Sequence, residues 1–333
     1  MKDKLTFGVF GGGSWGTAIV KMLTENLEQV NWYMRSDSAI RHIKKEWHNP
    51  NYLSSVEFDV DQLVMSFDIN EVVEASDVLI FAIPSAFLDR ELQNLTVSLK
   101  DKIIFSAIKG IVPETGRIVG EHFNEKYDIP FENIGVITGP CHAEEVALER
   151  LSYLTIACAD ADKAKMLAAQ LKSDYIRTKI SDDIIGTEYA AMLKNIYAIA
   201  AGIAHGLGYG DNFQSVLMSN AIREMKRFID RVYKMKRNIN ASAYLGDLLV
   251  TGYSVFSRNR MFGNMIGKGY TVKSAMMEMN MVAEGYYATQ SAHDLMEKLQ
   301  KKSKTPIIHA VYQVLYKNKN PKKVFEKLTE KLD

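Results

Sequence analysis

Residues 5–23 read Leu-Thr-Phe-Gly-Val-Phe-Gly-Gly-Gly-Ser-Trp-Gly-Thr-Ala-Ile-Val-Lys-Met-Leu, and they form the most informative stretch of the chain. Its apolar start predicts a buried strand, its glycine cluster a tight turn, and its end an amphipathic helix. Gly11, Gly13 and Gly16 have the spacing G-x-G-x-x-G, which between a strand and a helix predicts a dinucleotide-binding turn. Gly11 permits the turn, Gly13 lets the backbone approach a pyrophosphate, and Gly16 lets the helix pack closely. The positive end of the helix then faces the anion.

Length and composition limit the class of protein. A chain of 333 residues can form two domains, each with its own core, and 47% hydrophobic with 24% charged residues is typical of a soluble globular protein. The net charge of +1 gives no reason to expect nucleic acid or a membrane surface as a partner. The sequence contains no run of 18 or more apolar residues, so no membrane span is predicted. The two cysteines, Cys141 and Cys158, form no disulfide framework, which favours a cytoplasmic location.

The first half of the chain alternates short apolar runs with helical patterns. This alternation predicts a doubly wound parallel sheet, that is, an α/β Rossmann-type domain over residues 1–182. The predicted strands are Leu5–Phe10, Val30–Met34, Val78–Ala82, Lys102–Ser106, Ile134–Thr138 and Tyr153–Ala159. The predicted helices are Thr17–Asn26, Ile69–Ala75, Ala86–Asn94, Arg117–Lys126 and Ala161–Leu171.

The second half, residues 183–333, reads as an all-helical domain. Ile184–Leu207 has a continuous 3.6-residue period that ends in glycines, and Asn212–Tyr233 forms a second long helix. Further helices are predicted over residues 241–264, 270–280, 284–299 and 306–316. The lysine-rich segment Lys317–Lys331 interleaves acids and reads as a solvated helix surface.

Two arginine-bearing segments suit anion recognition. Arg35 follows the second strand, where an NAD-selective site usually has an acidic residue for the ribose hydroxyls. Its guanidinium could pair with a 2′-phosphate, which favours NADP or dual use, or it could be a surface arginine. Ser257-Arg258-Asn259-Arg260 gathers cations and an amide in one turn, which suits a phosphate; a charged helix face is the alternative.

Two lysines are candidates for proton transfer. Lys109 follows a predicted strand at the sheet edge where ligands bind, and Lys194 lies within a helix beside Asn195. A desolvated lysine near another cation has a lowered pKa and can exchange a proton near neutral pH. Asp247 and Thr251 share one helix face, so Asp247 could orient a lysine ammonium; a helix-start aspartate at the surface is equally compatible with the spacing.

These segments, in this order, resemble the NAD(P)-dependent glycerol-3-phosphate dehydrogenases from residue 5 to about residue 316. The matching stretches are Gly11-x-Gly13-Ser14-Trp15-Gly16, Asn49-x-x-Tyr52-Leu53, Pro84-Ser85, Lys109-Gly110, Gly139-Pro140, Leu193-Lys194-Asn195, Gly206-Leu207-Gly208-x-Gly210-Asp211-Asn212, Gly246-Asp247-Leu248-x-x-Thr251, Ser257-Arg258-Asn259, Gly263, Gly267-x-Gly269, Glu284-Gly285 and Pro306-Ile307. The Lys194-Asn195 and Ser257-Arg258-Asn259 segments are the most specific.

The resemblance implies a role for each site residue. Lys194 would give or take the proton at the substrate hydroxyl, with Lys109 beside it, and Asp247 and Thr251 would hold the lysine pair and the reacting oxygen. The implied substrate-binding residues are Lys109, Gly139, Cys141, Lys194, Asn195, Asp247, Ser257, Arg258 and Asn259. The implied cofactor-binding residues are Gly11, Gly13, Ser14, Trp15, Gly16, Arg35, Lys109, Ala143, Arg258, Val282 and Glu284.

The chain departs from the family pattern at two places. Cys141 stands where the family usually has serine, so a thiol replaces one hydroxyl group. Ser219-Asn220-Ala221 stands where Thr-Arg-Gly is usual, which removes an arginine near the second long helix. Neither departure affects the chemistry expected of Lys194.

The implied reaction is the interconversion of dihydroxyacetone phosphate and sn-glycerol 3-phosphate with NADP or NAD. The helical domain would complete the substrate site, no metal would be needed, and the product would supply phospholipid synthesis, with the enzyme a cytoplasmic homodimer. Two alternatives remain open: a related dehydrogenase for another small hydroxyacid, and a non-catalytic dinucleotide sensor. The joint presence of Lys109, Lys194 and Asp247 argues against a sensor, which has no use for proton transfer.

Overall fold

The computed structural model describes residues 5–279, 283–299 and 305–333. Its internal contacts divide the chain into two compact units. The first unit contains the chain up to Ile108 together with Arg117–Ile184, and the second contains Lys109–Gly116 together with Ile185–Asp333. Lys109 therefore belongs by its contacts to the helical unit, although the strand before it belongs to the first.

The first unit contains an eight-stranded sheet. The strands in chain order, with two short ones, are β1 Phe7–Phe10, β2 Val30–Tyr33, β3 Leu63–Ser66, β4 Val78–Phe81, β5 Ile103–Ser106, β6 Ile111–Val112, β7 Arg117–Ile118, β8 Ile134–Thr138, β9 Ser152–Cys158 and β10 Ile176–Ser181. The sheet order is β10-β9-β8-β5-β4-β1-β2-β3. Six neighbouring strands of this sheet, β8, β5, β4, β1, β2 and β3, are parallel to one another, which confirms the doubly wound arrangement. At one side, β9 runs antiparallel to β8, and β10 pairs in parallel with β9.

Helices connect these strands. They are α1 Ser14–Thr24, α2 Asp37–Glu46, α3 Ile69–Glu74, α4 Ser85–Leu92, α5 Val119–Tyr127, α6 Ala143–Ala147 and α7 Ala161–Leu171. Strands β1 and β4 are buried along their whole length, as expected for central strands covered on both faces. The core beneath α1 includes Val9, Ile19 and Trp32, all fully buried. This packing anchors β1 and α1, the two elements that border the glycine-rich turn.

Some predicted elements of the first unit needed correction. Strands β3 and β10 give no strand signal in the sequence, because only the first residue of each is buried and neither has a long continuous apolar run. Helix α1 begins at Ser14 rather than Thr17, directly after the glycines. The helix predicted over Arg117–Lys126 is wrong at its start, where Arg117–Ile118 is a strand and α5 begins at Val119.

The second unit is helical. Its helices are α8 Ile184–Gly206, α9 Asp211–Val232, a π-helical turn Ser242–Gly246, α10 Asp247–Tyr253, α11 Arg258–Gly267, α12 Val272–Glu278, α13 Glu284–Lys298, α14 Pro306–Leu315 and α15 Pro321–Thr329. The single helix predicted over residues 241–264 is wrong, because a non-helical segment separates the end of α10 at Tyr253 from the start of α11 at Arg258. The Ser257 hydroxyl accepts from the Arg260 N–H (3.3 Å) and begins α11 as its N-cap. Among the described helices, none is long and apolar enough to cross a membrane.

Candidate active site

The glycine-rich turn lies between β1 and α1 in the first unit. Gly11 has φ of +130°, and a Cβ added to Gly16 would lie 2.1 Å from the Gly11 carbonyl oxygen. A Cβ on Gly13, by contrast, would meet no atom within 4 Å, so this residue borders open space. Gly13 also offers no side-chain cap to α1. The turn thus presents bare backbone at the positive end of a helix, which fits the pyrophosphate of NAD or NADP.

Arg35 lies just beyond β2, with a side chain 72% exposed. Its Nη1 forms an ion pair with Glu91 Oε1 at 3.3 Å, and the Tyr33 hydroxyl donates to Glu91 Oε2 at 3.0 Å. Exposed ion pairs of this kind hold a side chain only weakly. The Ser36 hydroxyl accepts from the Ala39 N–H and caps α2, so it has a structural task.

The end of β8 provides the other predicted positions of the first unit. Gly139 has φ of +117°, and a Cβ there would lie 2.7 Å from the Tyr153 carbonyl oxygen, so only glycine fits the turn. Cys141 is 5% exposed, and Ala143 is the first residue of α6. Residue 141 therefore contributes a buried thiol beside this turn.

The central contact of the helical unit joins Lys194 in α8 to Asp247 at the start of α10. Lys194 is 4% exposed and Asp247 is 1% exposed, and the Lys194 Nζ donates to Asp247 Oδ1. The Thr251 hydroxyl donates to the Asp247 carbonyl oxygen at 2.6 Å, so it supports the backbone of the helix that carries Asp247 rather than the ammonium. Oδ2 of Asp247 has no hydrogen-bond partner among the described residues. This oxygen is itself fully buried, so the carboxylate faces the interior of the helical unit.

Burial and neighbouring charges set the proton affinity of Lys194. Burial lowers its pKa, the Asp247 carboxylate raises it, and the Lys109 ammonium lowers it again, with a net pKa of about 8. The amine can therefore hold or release a proton near neutral pH, as a general acid or base requires.

Glu284, at the start of α13, is a second carboxylate in this cluster. Burial raises its pKa, while Lys109, Arg258 and Lys194 lower it, so all three cations lie near one carboxylate. The Asn195 amide donates to Glu284 Oε2 at 3.5 Å. Three cations and two carboxylates, counting Asp247, leave one net positive charge, which suits an anionic substrate.

Arg258 and Asn259 occupy the first turn of α11. The Gly285 N–H donates to Asn259 Oδ1 at 2.9 Å, which ties α11 to α13. Ser257 is 3% exposed and caps the helix. A guanidinium at the positive end of a helix is well placed to bind a phosphate.

Glycines bring α8 and α11 into backbone contact. A Cβ on Gly263 would lie 2.2 Å from the Ile199 carbonyl oxygen and 2.9 Å from the Ile203 nitrogen. A Cβ on Gly202 would lie 2.1 Å from the Arg260 carbonyl oxygen. Gly206 and Gly267 make the corresponding contacts one turn further along both helices, so the two helices run parallel. Only glycine permits this approach.

The register of this contact sets the start of α11 beside the middle of α8. Because Gly263 lies between Ile199 and Ile203, the start of α11 falls within about one turn of Lys194 on α8. A Cβ on Gly285 would lie 2.6 Å from the Asn195 carbonyl oxygen, so α13 joins at the same level. The middle of α8, which carries Lys194, thus lies at the level where α11 begins with Arg258.

The predicted site residues fall into two sets. The first unit contains Gly11, Gly13, Ser14, Trp15, Gly16, Arg35, Gly139, Cys141 and Ala143. The second contains Lys109, Lys194, Asn195, Asp247, Thr251, Ser257, Arg258, Asn259 and Glu284. Val282 lies outside the described residues.

Comparison with known families identifies the chain. The profile described as the NAD-dependent glycerol-3-phosphate dehydrogenase N-terminus matches residues 6–164, and that of the C-terminus matches residues 183–326. The chain belongs to the NAD-dependent glycerol-3-phosphate dehydrogenase family. Curated family members named glycerol-3-phosphate dehydrogenase [NAD(P)+] include one from Exiguobacterium sp., 35% identical over 96% of this chain and 94% of the relative, and one from Oceanobacillus iheyensis, 34% identical over 96% and 92%.

Solved structures of the family agree with this membership. Glycerol-3-phosphate dehydrogenase from Coxiella burnetii is 27% identical, covers 98% of this chain and 99% of its own, and has a TM-score of 0.89. A D-mandelate dehydrogenase, 18% identical with a TM-score of 0.60 over 93% of this chain and 99% of its own, shares the fold alone.

Two residues with clear structural tasks carry no functional signal in the sequence. Gly202 lies in a helical pattern that glycine would ordinarily weaken, and that anomaly could have marked it as a packing contact. Asn49 belongs to a stretch that resembles the family but contains no group suited to the reaction. Its task is visible only in its hydrogen bonds.

Proposed function

We propose that this protein is an NAD(P)-dependent oxidoreductase that interconverts dihydroxyacetone phosphate and sn-glycerol 3-phosphate. Family membership supports the proposal. The observation that carries it is the buried Lys194, with a pKa of about 8, in one cluster with Lys109, Asp247, Glu284 and Arg258. That cluster combines a proton-exchanging amine with a cation suited to a phosphate.

Four residues of the cluster, together with Asn259, have separate tasks. The nicotinamide, when bound, supplies or accepts the hydride at the substrate C2 atom. Lys194 donates a proton to the C2 oxygen during reduction and accepts it during oxidation. The Lys109 ammonium stabilises negative charge that develops on this oxygen, and Asp247 orients Lys194. Arg258 and Asn259 bind the phosphate and thereby place the carbonyl.

The cofactor is held by the turn from Gly11 to Gly16, with Ser14, Trp15, Arg35, Ala143, Lys109, Arg258, Val282 and Glu284 as further proposed contacts. NADP is slightly favoured over NAD, because Arg35 provides an exposed guanidinium at the end of β2 where an acidic residue would select NAD. Gly139, Cys141, Asn195, Ser257 and Thr251 complete the proposed site.

The wider setting is proposed from the family resemblance. The protein would act in the cytoplasm as a homodimer and supply glycerol 3-phosphate for phospholipid synthesis. A dinucleotide-binding domain over residues 1–182 and a substrate domain over residues 183–333 remain the proposed division. The limits of the matched profiles, at residues 164 and 183, support it.

Initial rates test the proposal directly. Purified protein is assayed with NADPH and with NADH against dihydroxyacetone phosphate, unphosphorylated dihydroxyacetone and a set of small 2- and 3-ketoacids. We expect oxidation of the cofactor with dihydroxyacetone phosphate and a far lower kcat/KM without the phosphate. Preference for a ketoacid would favour the related hydroxyacid dehydrogenase, and cofactor binding without turnover would favour the sensor.

A further inference from the structure

Asn49 lies in the segment between α2 and β3 and is 1% exposed. Its Nδ2 donates to the Gly12 carbonyl oxygen at 3.1 Å and to the Thr17 hydroxyl at 2.9 Å. Its Oδ1 accepts from the N–H groups of Asn51 at 3.0 Å and Tyr52 at 3.2 Å. Both N–H bonds and both lone pairs of the amide are therefore used. A single buried side chain joins this segment to the glycine-rich turn.

These bonds fix the direction of the neighbouring peptide N–H groups. In a trans peptide the C=O and the following N–H point in opposite directions. Because Asn49 holds the Gly12 carbonyl oxygen on its own side, the Gly13 N–H points to the other side. The Thr17 hydroxyl and the Thr17 N–H both donate to the Gly13 carbonyl oxygen at 2.9 Å, which directs the Ser14 N–H out of the helix end.

We propose that Asn49 is a positioning residue for the cofactor pyrophosphate. It acts from behind the glycine-rich turn, holding the Gly13 and Ser14 N–H groups in the direction that an anion at the helix end requires. The inference rests on the family's use of NAD(P), and it adds a residue that touches the turn rather than the cofactor. The Asn49 segment begins where α2 ends, and α2 begins just after Arg35, so the same piece of chain links the proposed ribose end to the pyrophosphate end.

The first test is Asn49→Asp, which keeps the acceptor for the Asn51 and Tyr52 N–H groups but removes the donors to Gly12 and Thr17. Dissociation constants are measured by calorimetry for NADPH, which contains the pyrophosphate, and for adenosine 2′-monophosphate, which does not. We expect the NADPH constant to rise about tenfold or more, from the loss of two hydrogen bonds. The dissociation constant for adenosine 2′-monophosphate should stay within about twofold of the wild-type value, because this ligand has no pyrophosphate.

A neutral pair of variants removes the effect of the added charge. Thr17→Val deletes the hydroxyl that joins Asn49 to the Gly13 carbonyl oxygen, and Thr17→Ser keeps it. We expect weaker NADPH binding for the valine variant and near-normal binding for the serine variant. This pair also decides the question if Asn49→Asp fails to fold.

Asn31 provides a matched control. Its Nδ2 donates to the Ala75 carbonyl oxygen and to the Ser76 hydroxyl, both at 3.0 Å, and the residue is 7% exposed. Like Asn49 it is a buried amide that donates to one carbonyl and one hydroxyl oxygen, but it does not bond to the glycine-rich turn. Asn31→Asp should lower thermal stability without selective loss of NADPH. Three results would overturn the inference. NADPH affinity could fall as much in Asn31→Asp as in Asn49→Asp, or Asn49→Asp could weaken NADPH and adenosine 2′-monophosphate equally. The folded Asn49→Asp and Thr17→Val variants could also bind NADPH as the wild type does. Failure of the wild type to reduce dihydroxyacetone phosphate while binding NADPH would reject only the proposed function.

Discussion

Lys194 and Asp247 are 53 residues apart in the chain and form a buried ion pair between α8 and α10. The pair does more than join two helices, because the carboxylate opposes the loss of proton affinity that burial imposes on the amine. Breaking a buried pair leaves one charge without compensation. The ionisation of Lys194 therefore depends on Asp247, and this dependence can be measured.

The pH dependence of the reaction should follow Lys194. Ketone reduction needs the protonated amine, so kcat should be high below a pKa of about 8 and fall above it, while alcohol oxidation should rise through the same range. Asp247→Asn removes the carboxylate that raises this pKa, so both limbs should move to lower pH. The measurement is kcat against pH in both directions; limbs that stay in place in the folded variant would contradict the assignment.

Removing the amine should abolish most of the turnover. Lys194→Ala should lower kcat by about 10²–10⁴-fold, the usual contribution of a positioned acid or base. NADPH binding, measured by fluorescence, should change little, because the glycine-rich turn lies in the other unit. Lys226→Ala, which removes a half-exposed lysine on α9, serves as the control. Near-normal kcat in the Lys194 variant would end the proposed role.

Arg258 should act chiefly on the phosphate. Arg258→Ala should raise KM for dihydroxyacetone phosphate by about 10–100-fold, because a charge-assisted hydrogen bond contributes about 1.5–3 kcal/mol. Its effect on the cofactor dissociation constant should be much smaller. The rate with unphosphorylated dihydroxyacetone should be nearly unchanged. Lys268→Ala, at the far end of the same helix, provides a control of equal charge. Equal effects on ketone phosphate and cofactor would argue against phosphate binding by this side chain.

The contact between α8 and α11 should be sensitive to a single methyl group. Gly263→Ala would place its Cβ 2.2 Å from the Ile199 carbonyl oxygen, so the two helices must separate. We expect kcat/KM to fall about tenfold or more, since small misplacements of catalytic groups cost up to about 100-fold in rate. Gly210→Ala, whose Cβ would meet nothing within 4 Å, is the matched control. Activity equal to that control would show that the spacing is not important.

Glu224 should make stability depend on pH. It is fully buried and accepts from the Ile307 and Ile308 N–H groups, each at 2.9 Å, at the start of α14. Burial raises its pKa to about 7, and these hydrogen bonds lower it only in part. The folded state thus keeps a proton that the unfolded chain loses above about pH 4.5, so this group's contribution to stability is lost as pH rises towards 7.

Glu224→Gln removes that titration. The change in Tm between pH 5 and pH 7.5 should be smaller in the variant than in the wild type. All other titratable groups remain in both proteins, so the difference between the two reports on Glu224. An identical pH dependence in the two proteins would contradict a raised pKa for this carboxyl.

Local patterns were sufficient for most of the architecture. The turn of residues 11–16 and the long helices α8 and α9 appear in the sequence because each depends on glycine placement or an apolar period within one segment. Strands β3 and β10 do not, since hydrogen bonds to the neighbouring strands β2 and β9 form them rather than their own apolar content. The interruption before α11 also depends on a local feature, the Ser257 cap. Its signal in the sequence is weak, because a single serine interrupts an otherwise helical pattern.

The class of fold, the place of the phosphate-binding turn and the residue types available for chemistry all follow from the sequence alone. Only the folded chain shows that Lys194 meets Asp247, that Gly202, Gly206, Gly263 and Gly267 bring α8 against α11, and that Asn49 lies behind the turn. The physical reason is that a strand or turn follows from neighbours in sequence, whereas burial, and with it a pKa or a directed N–H, follows from neighbours in space.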